Sequence, residues 1–248
     1  MKKFILITGS GSGIGKETAL SYSNKKNIVF VADLDYDSAL ETVKIIQSKG
    51  NQAIALEVNV ANASSVDDMF KKIQKHTKRI DILVNNVGIE LTGDLSSFSL
   101  NKYNQLFDVN VKSVFLCSQK VLPFMKKNGG SIVNLASVAS FKTWPEYGVY
   151  SATKAAVAGL TKGFALDYIE FNIRVNAVAP AIVDTPMTDR AIIDKNNIKE
   201  EKKKKGLVHP MKRIAKPKEV ANAIKFLASK KSSFTTGTIL LVDGGLLA

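Results

Sequence analysis

Short apolar runs recur along the chain, and each is apolar at consecutive rather than alternating positions. They are "FILIT" (4–8), "IVFVAD" (28–33), "AIALEVN" (53–59), "DILVNNVG" (81–88), "GSIVNLAS" (130–137), "IRVNAVAP" (173–180) and "TILLVDGG" (238–245). A strand that is apolar throughout is buried on both faces, as in a parallel sheet covered on each side. Helical patterning fills the gaps, starting near Ile14 and continuing near 37–49, 64–76, 100–127 and through Tyr150. Strand–helix alternation of this kind predicts an α/β fold: one doubly wound parallel sheet of about seven strands with helices on both faces. No linker or repeat divides the chain.

One stretch breaks the rhythm. Between Val183 and Lys216 there is no strand pattern, and "KNNIKEEKKKKG" (195–206) is dense in charge. So long an excursion from a compact domain reads as a substrate lid, over about 184–213. Its six lysines between 195 and 205 read as a solvated helix face, with attraction of an acidic substrate or carrier protein as the other option.

Composition narrows the picture. With 248 residues and 45% apolar content the chain can bury one sizeable core. Cys117 is the only cysteine, so no internal disulfide forms, which suits a reducing, cytoplasmic setting. The opening "MKKFILITGSGSG" has lysines before an apolar run, but that run is too short for a signal peptide and reads as the first strand. No stretch approaches a membrane span. The net charge of +13 is spread over scattered lysines without a zinc finger, an RNA-recognition signature or a basic–aromatic stripe, so nucleic acid is not expected as a partner. His76, His209 and Cys117 share no metal-ligand spacing, and no metal is expected. His76 reads as a surface residue at a helix end, and His209, at the end of the lid, is a candidate substrate contact.

The candidate chemistry begins at "TGSGSGIG" (8–15), between the first strand and the first helix. G-x-G-x-x-G fails here, because Ile14 and Lys16 occupy the positions where its last glycine would fall. G-x-x-x-G-x-G fits at Gly9, Gly13 and Gly15, with Ser12 and Ile14 inside the loop. Glycines there let backbone turn tightly and approach a pyrophosphate, whose charge the helix N-terminus favours. Asp33, followed by Leu34, ends the second apolar run. A carboxylate at that place accepts from the adenosine ribose hydroxyls and repels a 2′-phosphate. No Arg or Lys occupies 10–14 or 34–36, so NAD is expected over NADP. The alternative for Asp33 is capping of the next helix, which Asp35 or Asp37 could do instead.

"YSATK" (150–154) puts Tyr150 and Lys154 one helical turn apart on one face. A free phenol, with a pKa near 10, is a poor acid or base at neutral pH, and a neighbouring ammonium lowers that value. The pair is therefore expected to form a tuned general acid–base. Ser137 ends the fifth apolar run, where such a sheet opens toward its ligand, and its hydroxyl is placed to hold a substrate oxygen. Tyr147 lies nearly two turns from Lys154 and is set aside as a decoy. Gly93, Trp144 and Glu146 are candidates for the border of the substrate pocket.

Taken in order, "TGSGSGIG", "NNVG" (85–88), Asn110 in "FDVNVKSVF", Ser137, "YSATK", "NAVAPAIVDTPM" (176–187) and "LLVDGG" (241–245) resemble the short-chain dehydrogenase/reductase family from end to end. The resemblance implies a single NAD(P)-binding, Rossmann-type domain over 1–248, and a hydride passed between nicotinamide and a secondary alcohol or ketone. It implies that Tyr150 exchanges the proton and Ser137 orients the substrate oxygen. Lys154 would hold the nicotinamide ribose and lower the tyrosine pKa, while Asn110 would hold a water linking Lys154 to solvent. Asn59 and Val60 would bracket the adenine, Asn86 and Gly88 would line the cofactor cleft, and Pro180, Val183 and Thr185 would meet the nicotinamide end. A homotetramer or homodimer is implied, through the small-residue helix "AAVAGLTKGFALDY" and the helix before it. The rival is an NADPH-dependent 3-oxoacyl-(acyl-carrier-protein) reductase, against which Asp33 argues. Val87 replaces the family's small Ala, and Ala181 replaces a Gly, so its backbone must avoid positive φ or accept strain.

Overall fold

A computed structural model of the chain describes residues 2–192 and 194–248. Ile193, inside the expected lid, lies outside the described residues. Seven strands form one sheet: β1 (Lys3–Thr8), β2 (Asn27–Asp33), β3 (Gln52–Glu57), β4 (Ile82–Asn85), β5 (Gly130–Leu135), β6 (Ile173–Pro180) and β7 (Ile239–Val242). Their order is β3-β2-β1-β4-β5-β6-β7 and every pairing is parallel. The chain moves outward from β1 to β3 and then returns to lay β4 on the other side of β1, with Ile7 paired to Val84. In doubly wound sheets such a reversal opens a crevice at the strands' C-terminal ends.

Consecutive residues of β1 feed opposite faces of the sheet, which is why its pattern is continuous rather than alternating. Ile5 and Ile7 join the core that takes in α1 (Gly13–Tyr22), α2 (Tyr36–Ser48) and α9 (Pro217–Leu227) through Ala19, Val43, Ile46, Val220, Ile224 and Leu227. Leu6 points the other way, into the core shared with α3 (Ala63–Gln74) and α5 (Ser113–Met125). Asp35 caps α2 by accepting from the Ser38 N–H at 3.1 Å, which leaves Asp33 free of that duty.

The helix expected over 100–127 is interrupted. It divides into α4 (Leu100–Phe107), a π-helical turn (Asp108–Lys112) and α5. Such insertions occur often at functional sites, and this one carries Asn110. The strand expected over 81–88 ends at Asn85, because Asn86 is drawn off to the glycine turn. α6 (Gly148–Asp167) carries Tyr150 and Lys154.

Among the described residues the expected lid holds α7 (Pro186–Arg190), a 3-10 turn (Lys195–Asn197) and α8 (Ile198–Gly206). Its neck is zipped where Asp184 N–H donates to Ala215 O at 2.8 Å and Ala215 N–H donates to Ile182 O at 2.9 Å. Lys202 reaches back to Asp184 and Asp189, both at 2.6 Å. Among the described residues no helix is long and apolar enough to cross a membrane.

Candidate active site

Short polar groups brace the glycine turn. The Asn86 amide donates to Gly9 O at 2.8 Å and Thr8 O at 3.1 Å. Asp33 Oδ2 accepts from the Gly11 N–H at 2.8 Å, and Ser10 Oγ donates to Ile7 O at 2.8 Å. Gly9 and Gly13 adopt φ of +63° and +54°, and a Cβ on Gly15 would stand 2.0 Å from Gly9 O. Only glycine fits these three places. Ser12 precedes α1 without a side-chain cap, so the first helical N–H groups are not spent on it.

These features fit a dinucleotide's pyrophosphate. The crowding at Gly15 shapes the turn, the uncapped helix start offers donors, and Asp33 ends β2 beside it with Leu34 exposed. At the neighbouring strand end Asn59 is exposed and holds the Ala61 N–H at 3.0 Å. Val60 packs its side chain into the core, so only its backbone is offered to an adenine.

A cleft of about 390 Å³ runs from Ile14, Asn86 and Gly88 to Ser137, Tyr150 and Lys154, and on to Pro180, Val183 and Thr185. Tyr150 and Lys154 therefore open onto the same space as the glycine turn. The Lys154 Nζ lies 5.8 Å from the centre of the Tyr150 ring. It donates to Leu135 O at 3.0 Å, and Lys154 as a whole is only 5% exposed. Ser137 begins a short 3-10 turn, its Oγ accepting from the Ala139 N–H at 3.1 Å. The Ser140 hydroxyl of the same turn donates to Lys154 O at 2.8 Å and so ties the end of β5 to α6.

The expected electrostatics need correcting. The Tyr150 phenol is pushed above its ordinary value rather than lowered. Burial is the main cause, followed by the Glu90 carboxylate, and the hydrogen bond with Ser137 acts the other way. Burial also brings Lys154 down to about 8, with Glu90 opposing. A cation so disfavoured, and committed to a strand carbonyl, does not make the phenol acidic here. The arrangement keeps the proton on Tyr150, the form that can donate to a carbonyl oxygen.

Asn110 is 1% exposed and its side chain is committed. Its Oδ1 accepts from the Ile89 N–H at 2.8 Å, and its amide donates to Ile89 O at 2.9 Å and Thr153 Oγ1 at 3.0 Å. Both amide hydrogens are used, so any water held there meets an acceptor.

Other expectations change. Tyr147 does not pair with Lys154, which lies by Tyr150, but it lines the cleft and its hydroxyl donates to Glu90 Oε1 at 3.1 Å. Glu90 carried no signal in the sequence beyond being the second residue after "NNVG". Gly93 is not part of the cleft wall; its N–H donates to Glu146 O at 3.0 Å and joins two loops behind it. His209 does not reach the cleft either. It is 2% exposed, with Nδ1 beside Gly206 O at 3.2 Å. Met187, Thr188, Ala191, Lys205 and Val208 from the lid line the cleft, as does Leu246 near the C-terminus. Val87 packs against the core under Gly9 rather than narrowing the cleft, and Ala181 escapes positive φ. No cluster of three or more metal-ligating side chains exists among the described residues.

Comparison with known proteins agrees with this layout. The family model described as enoyl-(acyl carrier protein) reductase matches residues 9–247. An uncharacterized oxidoreductase of Thermotoga maritima is 39% identical over 247 residues, covering 99% of this chain and 98% of its own. A 3-oxoacyl-(acyl-carrier-protein) reductase of the same organism is 37% identical, with 99% and 98% covered. The ligand-free aldohexose dehydrogenase of Thermoplasma acidophilum superposes with a TM-score of 0.88 at 35% identity, covering 99% of this chain and 94% of that one. Likeness at this level over almost the whole length, in sequence and in backbone, assigns the chain to the short-chain dehydrogenase/reductase family of oxidoreductases.

Proposed function

We propose that the chain is an NAD-dependent oxidoreductase acting on a secondary alcohol or ketone, with Tyr150 as general acid–base. The observation that carries this reading is the convergence of Tyr150, Ser137 and Lys154 on one cleft continuous with the Gly9–Gly15 turn. Nicotinamide, when bound, supplies the hydride donor or acceptor. Tyr150 passes its proton to the substrate oxygen in reduction and takes it back in oxidation. Ser137 donates a hydrogen bond to that oxygen and fixes its distance from the phenol. Lys154 holds the ribose, and its neighbour Asn110 anchors the start of a proton path. Pro180, Val183 and Thr185 bound the nicotinamide end, and Met187, Ala191 and Val208 on the lid's cleft side exclude water.

Asp33 supports NAD. It is relieved of helix capping, it stands at the end of β2, and its charge opposes a 2′-phosphate. A second reading, an NADPH-dependent 3-oxoacyl-(acyl-carrier-protein) reductase, draws on the Thermotoga maritima relative and on the lysines of α8. A homodimer or homotetramer through α6 and α5 is consistent with Leu166 and Phe115, which are 78% and 42% exposed there.

The test is turnover of a panel of ketones, alcohols, sugars, hydroxy acids and an acetoacetyl thioester, with NAD(H) and NADP(H) supplied separately. Tyr150→Phe should reduce kcat on the order of a hundredfold or more while NADH binding persists. Near-normal turnover in that variant overturns the assignment, and NADPH-restricted reduction of the thioester favours the second reading.

A further inference from the structure

Once Ser137, Tyr150, Lys154 and the cofactor-facing positions are set aside, the cleft wall retains two charged side chains, Glu90 and Lys205. Glu90 is built in. The Ile89 backbone next to it is held at both its N–H and its carbonyl by Asn110, at 2.8 and 2.9 Å. Tyr147 donates to Glu90 Oε1, and the Tyr147 ring is wedged edge-on between Trp144 at 6.3 Å and Tyr150 at 6.1 Å. The bond from Gly93 to Glu146 joins the loop after Glu90 to the loop before Tyr147. Among the described residues no donor is bonded to Glu90 Oε2. Glu90 is half-buried and lines the cleft, so a ligand hydroxyl can take the place of solvent on that oxygen. Tyr147 binds Glu90 through its hydroxyl while its ring packs edge-on against Tyr150, and the Glu90 carboxylate is near enough to push the Tyr150 phenol up.

We propose that Glu90 accepts a hydrogen bond from a hydroxyl on the substrate carbon next to the reacting one, so that vicinal diols and polyhydroxylated alcohols are preferred over simple alcohols and acids. The inference rests on the assignment of Tyr150 and Ser137 to the reacting oxygen. Its chemistry is specific. A hydroxyl donates to the carboxylate, an ether or a methylene leaves it unmet, and a substrate carboxylate on that carbon is repelled by it. Tyr147 is the positioning residue that aims the carboxylate.

The experiment compares kcat/KM for cyclohexane-1,2-diol, cyclohexanol and 3-hydroxybutyrate with NAD on the full chain. The wild type should favour the diol over cyclohexanol by on the order of tenfold to a hundredfold, the worth of a charged hydrogen bond. Glu90→Ala should bring that ratio close to one, Glu90→Gln should leave it intermediate, and Tyr147→Phe should lower it in part. The change should sit in KM, because a spectator hydroxyl is held equally in ground and transition states. A ratio unmoved by Glu90→Ala, an equal fall for every substrate, or a wild-type preference for 3-hydroxybutyrate overturns the inference. Binding is read separately through Trp144, the only tryptophan, which lines the same cleft. In a Tyr150→Phe background the diol should quench its fluorescence, and in Tyr150→Phe/Glu90→Ala it should not. Glu90-dependent quenching without turnover of any substrate in the wild type sinks the oxidoreductase reading and leaves Glu90 a hydroxyl-binding group with no reacting carbon beside it, which overturns the inference as stated; turnover indifferent to Glu90 sinks this inference alone.

Discussion

Around the glycine turn, contacts are made by backbone and by short polar side chains that reach one or two atoms of it: Asn86 to Gly9, Asp33 to Gly11, Ser10 to Ile7. At the far end of the same cleft, the wall around Ser137, Tyr150 and Lys154 is completed by side chains from the loop after β4, the loop before α6, the lid and the C-terminus. The first region is shaped by contacts within its own chain. The second holds its charges at a disadvantage, with Lys154 brought down to about 8 and the Tyr150 phenol pushed up. One end is built by steric necessity and the other by electrostatic tension, and they should fail differently.

The largest effect is expected from Gly15→Ala. Its Cβ would lie 2.0 Å from Gly9 O, so backbone must move, at a cost on the order of 3 kcal/mol. The urea midpoint should drop and NADH affinity should fall with it; a variant that keeps both shows the turn to be pliable. Ser137→Ala probes the other end. Loss of one donor to the substrate oxygen should lower kcat about a hundredfold with little change in melting temperature, whereas a large melting shift would assign Ser137 to the fold through its 3-10 turn. Asp33→Ala should reduce the preference for NAD over NADP by about tenfold, and an unchanged ratio means that the ribose is read elsewhere.

The smallest effect is a stability slope with pH. Lys154 titrates at about 8 when folded and at 10.5 ordinarily, so between those values the unfolded chain binds more protons and stability rises with pH. From pH 7 to pH 9 the gain is about 1 kcal/mol, read as a urea midpoint, and Lys154→Met should abolish it. Above pH 10 the raised phenol of Tyr150 acts in the opposite sense, because the folded state then keeps the extra proton.

The same contrast explains what could be read from the sequence. The turn at Gly9, Gly13 and Gly15 and the acid at Asp33 follow from spacing along one strand–turn–helix unit, so local pattern suffices. Tyr150 and Lys154 are one turn apart on a single helix, which periodicity also gives. Glu90 and Tyr147 are distant in the chain and meet only because the sheet brings the end of β4 beside α6. The sign of the Tyr150 shift was illegible for a related reason. It depends on how deeply the phenol is buried and on Glu90's distance from it, and neither is encoded in a four-residue spacing. The π-helical turn at Asp108–Lys112 was hidden because its apolar positions continue a helical pattern, while the committed Asn110 side chain sets the break.

The bond from the Ser140 hydroxyl to Lys154 O spans the strand end that leads to Ser137 and the helix that carries Tyr150. Strand end and helix are thereby coupled as one frame, and the gap between serine hydroxyl and phenol is inherited from main chain rather than imposed by whatever occupies it. Lid residues can be exchanged to admit a different molecule while the reactive geometry stays as it was. Under the proposed mechanism, that separation lets new specificities arise without rebuilding the proton transfer.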